Sequence, residues 1–302
     1  MKRILTIVLV LIMSMSFVSC NNIENNSTSE IIFDPNNAQF YLSGCQLAKS
    51  AFRFSNASTV KLCFYDDFET YDDKATKEIN INIFGNQVSL QYDKTTSVSE
   101  NLENASLYNR AYDRYKNDWC KVAYCHGTND LTEYNVHLND NLNSEFVISE
   151  SEAKLKAEQF ISSVQSADWR TQYKIKDERC RYTEGYGYTY LYRRTVCGYE
   201  ARDNIVVVVS PSGEIRTFGN IFRDIYDGLE SKVTKEILDT AKQTLRGMVE
   251  SMQLSDLEYG GEPDLAMNAD GELFMYQSVT YKLDIYSRTD TIYLKIGSVV
   301  DK

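Results

Sequence analysis

Few side chains in this sequence have the types and spacing that chemistry needs. His126 and His137 are its two histidines. They read as lying on opposite arms of one hairpin, where two imidazoles could share a metal, but no carboxylate or thiolate stands at a known ligand spacing. Ser151 and Lys154 match S-x-x-K without the companion S-D-N and K-T-G elements, and Glu152 between them is better explained by a helix cap. H-E-x-x-H, G-x-S-x-G and phosphate-cradling glycine loops do not occur. Asp66, Asp67, Glu69, Asp72 and Asp73 form the densest acidic cluster. Oxygen ligands in such number suit Ca2+, yet their spacing fits no EF-hand loop, and a solvated acidic loop is the simpler reading. The residues point to no catalytic group, no metal site and no cofactor.

What remains suits recognition. Tyr186, Tyr188, Tyr190 and Tyr192 recur with a period of two, so on a strand they share one face. Tyrosine offers contact area and a hydroxyl at modest entropic cost, which makes these four the candidate binding face. The competing reading is that a helix covers them and they are core. The net charge of −11 leaves no clustered Lys and Arg for phosphates, so nucleic acid is excluded as a partner. An aromatic content of 12% and only three prolines indicate a folded chain without long linkers.

Of seven cysteines, Cys20 stands apart. Lys2 and Arg3 precede an apolar run from Ile4 to Val18. That run is shorter than the roughly 20 residues a membrane span needs, and it has the length of a signal-peptide core. It ends in Phe17-Val18-Ser19-Cys20, which resembles the bacterial lipobox, with Phe17 where leucine is usual. The resemblance implies lipid on Cys20, a mature chain starting there, and anchorage on the outer side of a bacterial membrane. Cys45, Cys63, Cys120, Cys125, Cys180 and Cys197 are then an even set in an exported chain, which suggests disulfides. The local pairs Cys45–Cys63, Cys120–Cys125 and Cys180–Cys197 are favoured, and reduced buried thiols are the alternative. No C-x-x-C occurs.

The elements that would position these groups come in a repeated order. Ser149 and Glu152 form a capping box. Ala153, Ala157, Phe160, Ile161 and Val164 follow as the buried stripe of a helix. The tyrosine strand comes next, then Cys197-Gly198, a strand over Asn204–Val209, a Pro211-Ser212-Gly213 turn and a short strand over Ile215–Phe218. The order returns with Thr234 as cap, a helix carrying Ile237, Leu238, Ala241, Leu245, Met248, Val249 and Met252, a long strand over Leu273–Ile285 and a closing strand over Thr291–Ile296. Upstream, Thr59–Tyr65, Glu78–Phe84 and Gln87–Tyr92 read as strands, with a Gly85-Asn86 turn. Leu102–Tyr115 reads as helix, and Val122–Tyr124 with Leu131–His137 as a second hairpin.

This pattern, a capped helix, a long strand ending near Gly198-Tyr199, then Ile205–Ser210 and Gly213-Glu214-Ile215, resembles the PepSY-type modules of bacterial secreted proteins and metallopeptidase propeptides, the YcdB-like tandem form most closely. Cystatin-like modules share the arrangement. The resemblance spans roughly residues 145–300. It implies an α+β fold of tandem modules, each one helix packed on an antiparallel sheet, and binding of a protein or peptide, a peptidase among the candidates, without catalysis. The expected organisation is a signal peptide (1–19), a tether (20–30), an N-terminal α+β block (31–142) and two repeats (143–228 and 229–302). A glycan-directed protein or hydrolase and a structural envelope lipoprotein are the alternatives.

Overall fold

The computed structural model describes residues 30–42, 68–70, 75–83, 85–97, 111–128, 130–137, 148–220, 225–267, 271–283 and 285–299. Of the expectations above, those for Cys20, Cys45, Cys63 and the strand over Thr59–Tyr65 lie outside these residues, as do Asp66, Asp67, Asp72 and Asp73.

The N-terminal strand β1 (Gln39–Leu42) follows a short turn capped by Asp34. β2 (Phe68–Thr70), β3 (Glu78–Ile83) and β4 (Asn86–Ser97) come next, β3 and β4 forming a hairpin with Ile83 opposite Asn86. The turn therefore centres one residue earlier than expected. Its Gly85 amide is held by the Asn82 side chain at 2.9 Å. β5 (Ala111–Lys116) corrects the helix expected up to Tyr115. Its tyrosines pack across strands, Tyr115 lying 5.8 Å from Tyr92 and 6.3 Å from Tyr124, and such cross-strand pairs outweigh weak helical spacing. β6 (Cys120–Cys125) and β7 (Leu131–Val136) form the second hairpin.

Helix α1 (Glu150–Val164) starts at the capping box: Ser149 accepts from the Glu152 amide and the Glu152 carboxylate accepts from the Ser149 amide. Ala153, Ala157 and Ile161 are its buried stripe. A one-turn α2 (Trp169–Gln172), β8 (Tyr173–Ile175) and β9 (Arg181–Thr183) lead into β10 (Gly187–Val196), and β8 and β9 share one edge of β10. β10 turns through Cys197 and Gly198, both at positive φ, into β11 (Tyr199–Val209), and β12 (Ile215–Gly219) pairs with β11. Two consecutive positive φ values are what a two-residue hairpin loop demands.

Helix α3 (Lys235–Ser251), capped by Thr234, buries Leu238, Ala241, Leu245 and Val249. β13 (Ser255–Tyr259) and β14 (Asp264–Met267) both lie along one edge of β15 (Glu272–Leu283), which forms a hairpin with β16 (Tyr286–Ser298). β1 then returns from the far end of the chain to pair with β16. Among the described residues no helix is long and apolar enough to cross a membrane.

The expected fold class, tandem modules of one helix on an antiparallel sheet, is corrected by these pairings. The strands join into one sixteen-stranded mixed sheet. β12 pairs with β7, and β11 meets β14 in parallel at Ala201 and Leu265. The physical reason lies at the edges. A strand left at an edge exposes unpaired amides and carbonyls, which another strand satisfies. Periodicity along a strand shows its faces and says nothing of which edge it will join.

Two apolar cores lie against this sheet, one beneath α1 and one beneath α3. Ile31 closes the second. It is buried, its amide donates to the Lys232 carbonyl at 2.8 Å, and a Cβ placed on Gly297 would stand 2.6 Å from its Cγ2. Gly297 is thus the seat of Ile31. Ile31→Ala is expected to cost about 3 kcal/mol, read as a lower urea midpoint. Adding Gly297→Ala to that variant should then cost less than Gly297→Ala alone. A midpoint unchanged by Ile31→Ala would show that the N-terminal segment contributes nothing to the fold.

Candidate functional site

The sequence-derived candidates are supports more than surfaces. Tyr190 and Tyr192 are 2% and 3% exposed in the core beneath α1. The Tyr188 hydroxyl donates to the Ile148 carbonyl at 2.9 Å and the Tyr190 hydroxyl to the Glu150 carbonyl at 2.8 Å. Trp169 meets the Tyr192 ring edge-on at 5.4 Å. The ladder therefore anchors the start of α1 to β10, and at Tyr190 and Tyr192 it offers no open face. Tyr186, at the strand's end, stays exposed and is covered in part by the Arg216 guanidinium, 4.3 Å from its ring.

The four described cysteines, Cys120, Cys125, Cys180 and Cys197, are free thiols, which corrects two of the expected bridges. Cys120 and Cys125 sit five residues apart on β6. They face opposite sides of the sheet at roughly 16 Å, far beyond the Cα separation of a disulfide. Cys180 packs against the core under α1 and Cys197 against the core under α3. Burial raises the thiol pKa of Cys120, to about 11, and of Cys180 and Cys197, so these thiols behave as small apolar groups. His126 Nδ1 lies 3.0 Å from Asp113 Oδ2 at one end of the β6–β7 hairpin, whereas the His137 amide bonds to the Trp119 carbonyl at the other. The two imidazoles do not meet. No group of three His, Cys, Asp or Glu residues among the described residues could hold a metal.

One concave feature was not legible in the sequence. A groove of about 870 Å³ opens where β10 and β11 approach β14, lined by charged residues of both signs together with Gly198, Gly260 and Gly261. Arg193 on β10 organises its floor. Its Nη1 donates to Asn204 Oδ1 at 2.9 Å and its Nη2 to Asp264 Oδ2 at 2.8 Å, and its Nε lies 3.5 Å from Glu200 Oε2. Glu200 is also paired with Lys176, which reaches Glu178 at 3.2 Å. The Tyr276 hydroxyl donates to Asp264 Oδ2 at 3.1 Å. Along the α3 wall, Asp239 is bonded by Lys235 at 2.7 Å and by the Tyr199 hydroxyl at 2.7 Å. Glu262 is bonded by Lys242 at 2.5 Å and by Arg246 at 3.2 Å.

The charges are not evenly placed. Lys242 is 28% exposed where its partner Glu262 is 68%, and Lys176 is 28% exposed where Glu178 is 64%. In these pairs the cation lies inward and the carboxylate outward, whereas Lys235 is more exposed than Asp239, 62% against 43%. The Asp264 carboxyl is the exception in depth. Burial pushes it above the ordinary carboxylate range, with Arg193 and Tyr276 pulling against that. Lys235 and Tyr199 hold Asp239 low, and Lys242 holds Glu262 low. None of the lining residues is a serine, cysteine or histidine, and the acidic groups are tied to cations. Arg193, Glu200 and Asp264 lie on three strands, and no short motif joins them. Their one sequence signal is the placing of Arg193 and Arg194 inside an otherwise apolar and aromatic strand.

Fold and groove together define a mixed-sheet domain with capped helices on its sheet and an ion-paired groove. Residues 86–220, which run from the first residues of β4 to just past β12, match the family model described as the YcdB, YcdC repeated domain. The chain therefore carries a YcdB-type domain over that span. No curated protein and no solved structure matches the chain.

Proposed function

We propose that this protein is a lipid-anchored, extracytoplasmic binding module without catalytic activity, that its groove is the recognition surface, and that its partner is a polypeptide, a peptidase being the leading kind. The observation that carries the reading is the groove itself: about 870 Å³ of concave surface most of whose charges are paired and whose lining holds no serine, cysteine or histidine. Surface ion pairs of this kind are worth about 0–1 kcal/mol each, so a partner can exchange them for its own at little cost, which suits reversible recognition. The signal-like run ending at Cys20 supplies the anchor, and the polar stretch Asn21–Glu30 the tether. α3 with β13–β16 is read as a second copy of the sequence pattern of α1 with β8–β12, built into the same sheet, with β1 on β16 where the first copy has β12 on β11.

A glycan-cleaving reading draws on one observation, that Asp264 and Glu200 both approach Arg193 and that burial raises Asp264. A general acid must be free to give its proton to a leaving group, and both carboxyls here are tied to cations. Recognition fits better.

The test uses the full chain in the cells that make it. A photo-crosslinking amino acid at Glu178, on the groove rim, should capture a polypeptide, while the same group at Asp256, away from the groove, should capture none. An alkyne-tagged fatty acid should label the protein and fail to label Cys20→Ser. Equal crosslinking at both positions, or none at either, would remove the groove as the recognition surface. Labelling of Cys20→Ser would remove the anchor.

A further inference from the structure

The partner's chemistry can be narrowed, on the reading that the groove is the recognition surface. At its floor, Asp264 Oδ2 accepts from both Arg193 and Tyr276, whereas Oδ1 accepts no hydrogen bond among the described residues. Asp264 lines the groove, its side chain is 22% exposed, and Oδ1 is not fully buried. Gly198 and Gly261, on the same lining, have nothing within 4 Å of where a Cβ would stand, which leaves the approach clear. The rim carries both signs: Glu178 and Glu262 are exposed, and so are Lys235 and Arg179. The whole chain carries a charge of −11, which adds a negative field.

We infer that the open oxygen of Asp264 is the receptor for a lysine or arginine side chain of a bound peptide, which reaches the floor of the groove. A cation is preferred to a neutral donor for a physical reason. Asp264 is largely removed from water, and its one guanidinium is shared with Glu200 and Asn204. A carboxylate in that setting is under-compensated, and a second positive charge offsets more of its desolvation than a neutral group can. A charge-assisted hydrogen bond to the open oxygen is also about twice as strong as a neutral one. The incoming ammonium or guanidinium thus completes the Arg193–Asp264–Tyr276 cluster without displacing any of its members.

The experiment uses the full lipidated chain in detergent and four fluorescein-labelled heptapeptides of an alanine-serine host. These carry at the central position lysine, arginine, norleucine or Nζ-acetyl-lysine. Binding is read by fluorescence anisotropy. The lysine and arginine peptides should bind at least tenfold more tightly than the other two. Asp264→Asn should reduce the lysine peptide to the norleucine level, and Asp256→Asn, which removes one exposed charge elsewhere, should not. Should Asp264→Asn prove to melt early, the acetyl-lysine comparison makes the same charge removal on the unchanged protein. Equal binding of all four peptides, or a lysine preference that survives in a folded Asp264→Asn protein, overturns the receptor while leaving the groove reading in place. No binding of any peptide overturns the receptor too, and the crosslinking from Glu178 then decides the groove.

Discussion

Arg194→Ala is expected to lower the stability of the protein by about 3 kcal/mol, the scale of breaking a buried hydrogen-bond network, and to lower the melting temperature by about 10 °C at the scale that holds for chains of this size. Arg194 is 1% exposed. Its Nη1 donates to Asp227 Oδ1 at 2.6 Å and to Gln172 Oε1 at 3.2 Å, and its Nη2 to the Tyr226 carbonyl at 3.1 Å. Glu230 lies 3.6 Å away and the Tyr173 ring 5.7 Å beneath the guanidinium. Burial works against its charge, but Tyr173, Asp227 and Glu230 together outweigh it, so its pKa rises. One side chain therefore ties β10, the end of α2 and the turn around Tyr226 together. Alanine would leave a cavity and take from the Tyr226 carbonyl one of its donors, the Leu229 amide remaining at 3.2 Å. Asp227, which is partly exposed, can return to water, so the loss comes mainly from the buried groups. Arg194→Lys should recover only part of it, because a single ammonium cannot reach the donor set of a planar fork. Equal midpoints for Arg194→Ala and the parent would show that the network is decorative.

How far the sequence reaches is visible in this same strand. The Ser149–Glu152 cap and the apolar stripe of α1 were legible because both are local: spacing along the chain decides them. The strands over residues 187–219 were legible for the same reason, and so was the turn closed by Gly213. The pairings of β1 with β16, β12 with β7 and β11 with β14 were not. They join segments far apart in the chain, and alternation along a strand is the same whichever edge it joins. The groove inherits that blindness. Arg193, Glu200 and Asp264 become a site only because β14 docks beside β11. The tyrosine ladder shows the converse case, where the period of two was right and the face was legible but its covering was not. The α1 helix that packs on it was itself foreseen, so burial of Tyr190 and Tyr192 was the consistent reading. The cysteine count misled because parity carries no geometry: five residues along β6 separates Cys120 from Cys125 as firmly as any distance in the fold.

Gly187→Ala is expected to be as damaging as the loss of Arg194, through the backbone alone. Gly187 opens β10 at φ +121°, a conformation that L residues rarely adopt, and a Cβ there would stand 2.1 Å from the Val209 carbonyl oxygen and 2.9 Å from the Ser210 Cα. Both obstacles are backbone, so no rotamer can relieve them. The strain of the dihedral alone is worth about 1–3 kcal/mol. The clash adds to it by prising apart the ladder where Tyr188 faces Val209. That displacement reaches α1, because the Tyr188 hydroxyl holds the Ile148 carbonyl just before the capping box. The expected result is a loss of about 3 kcal/mol or more, with earlier hydrogen exchange in the first turn of α1. Two comparisons separate the causes. Gly185→Ala, at φ +72° in open space, should cost only the left-handed penalty of about 1–2 kcal/mol. Gly247→Ala, on the exposed side of α3 with ordinary φ and free space, should stabilise by about 1 kcal/mol through helix propensity. If Gly187→Ala were to cost no more than Gly185→Ala, the close approach of β10 to Val209 would be wrong, and with it the register that places Tyr188 and Tyr190 beneath the helix.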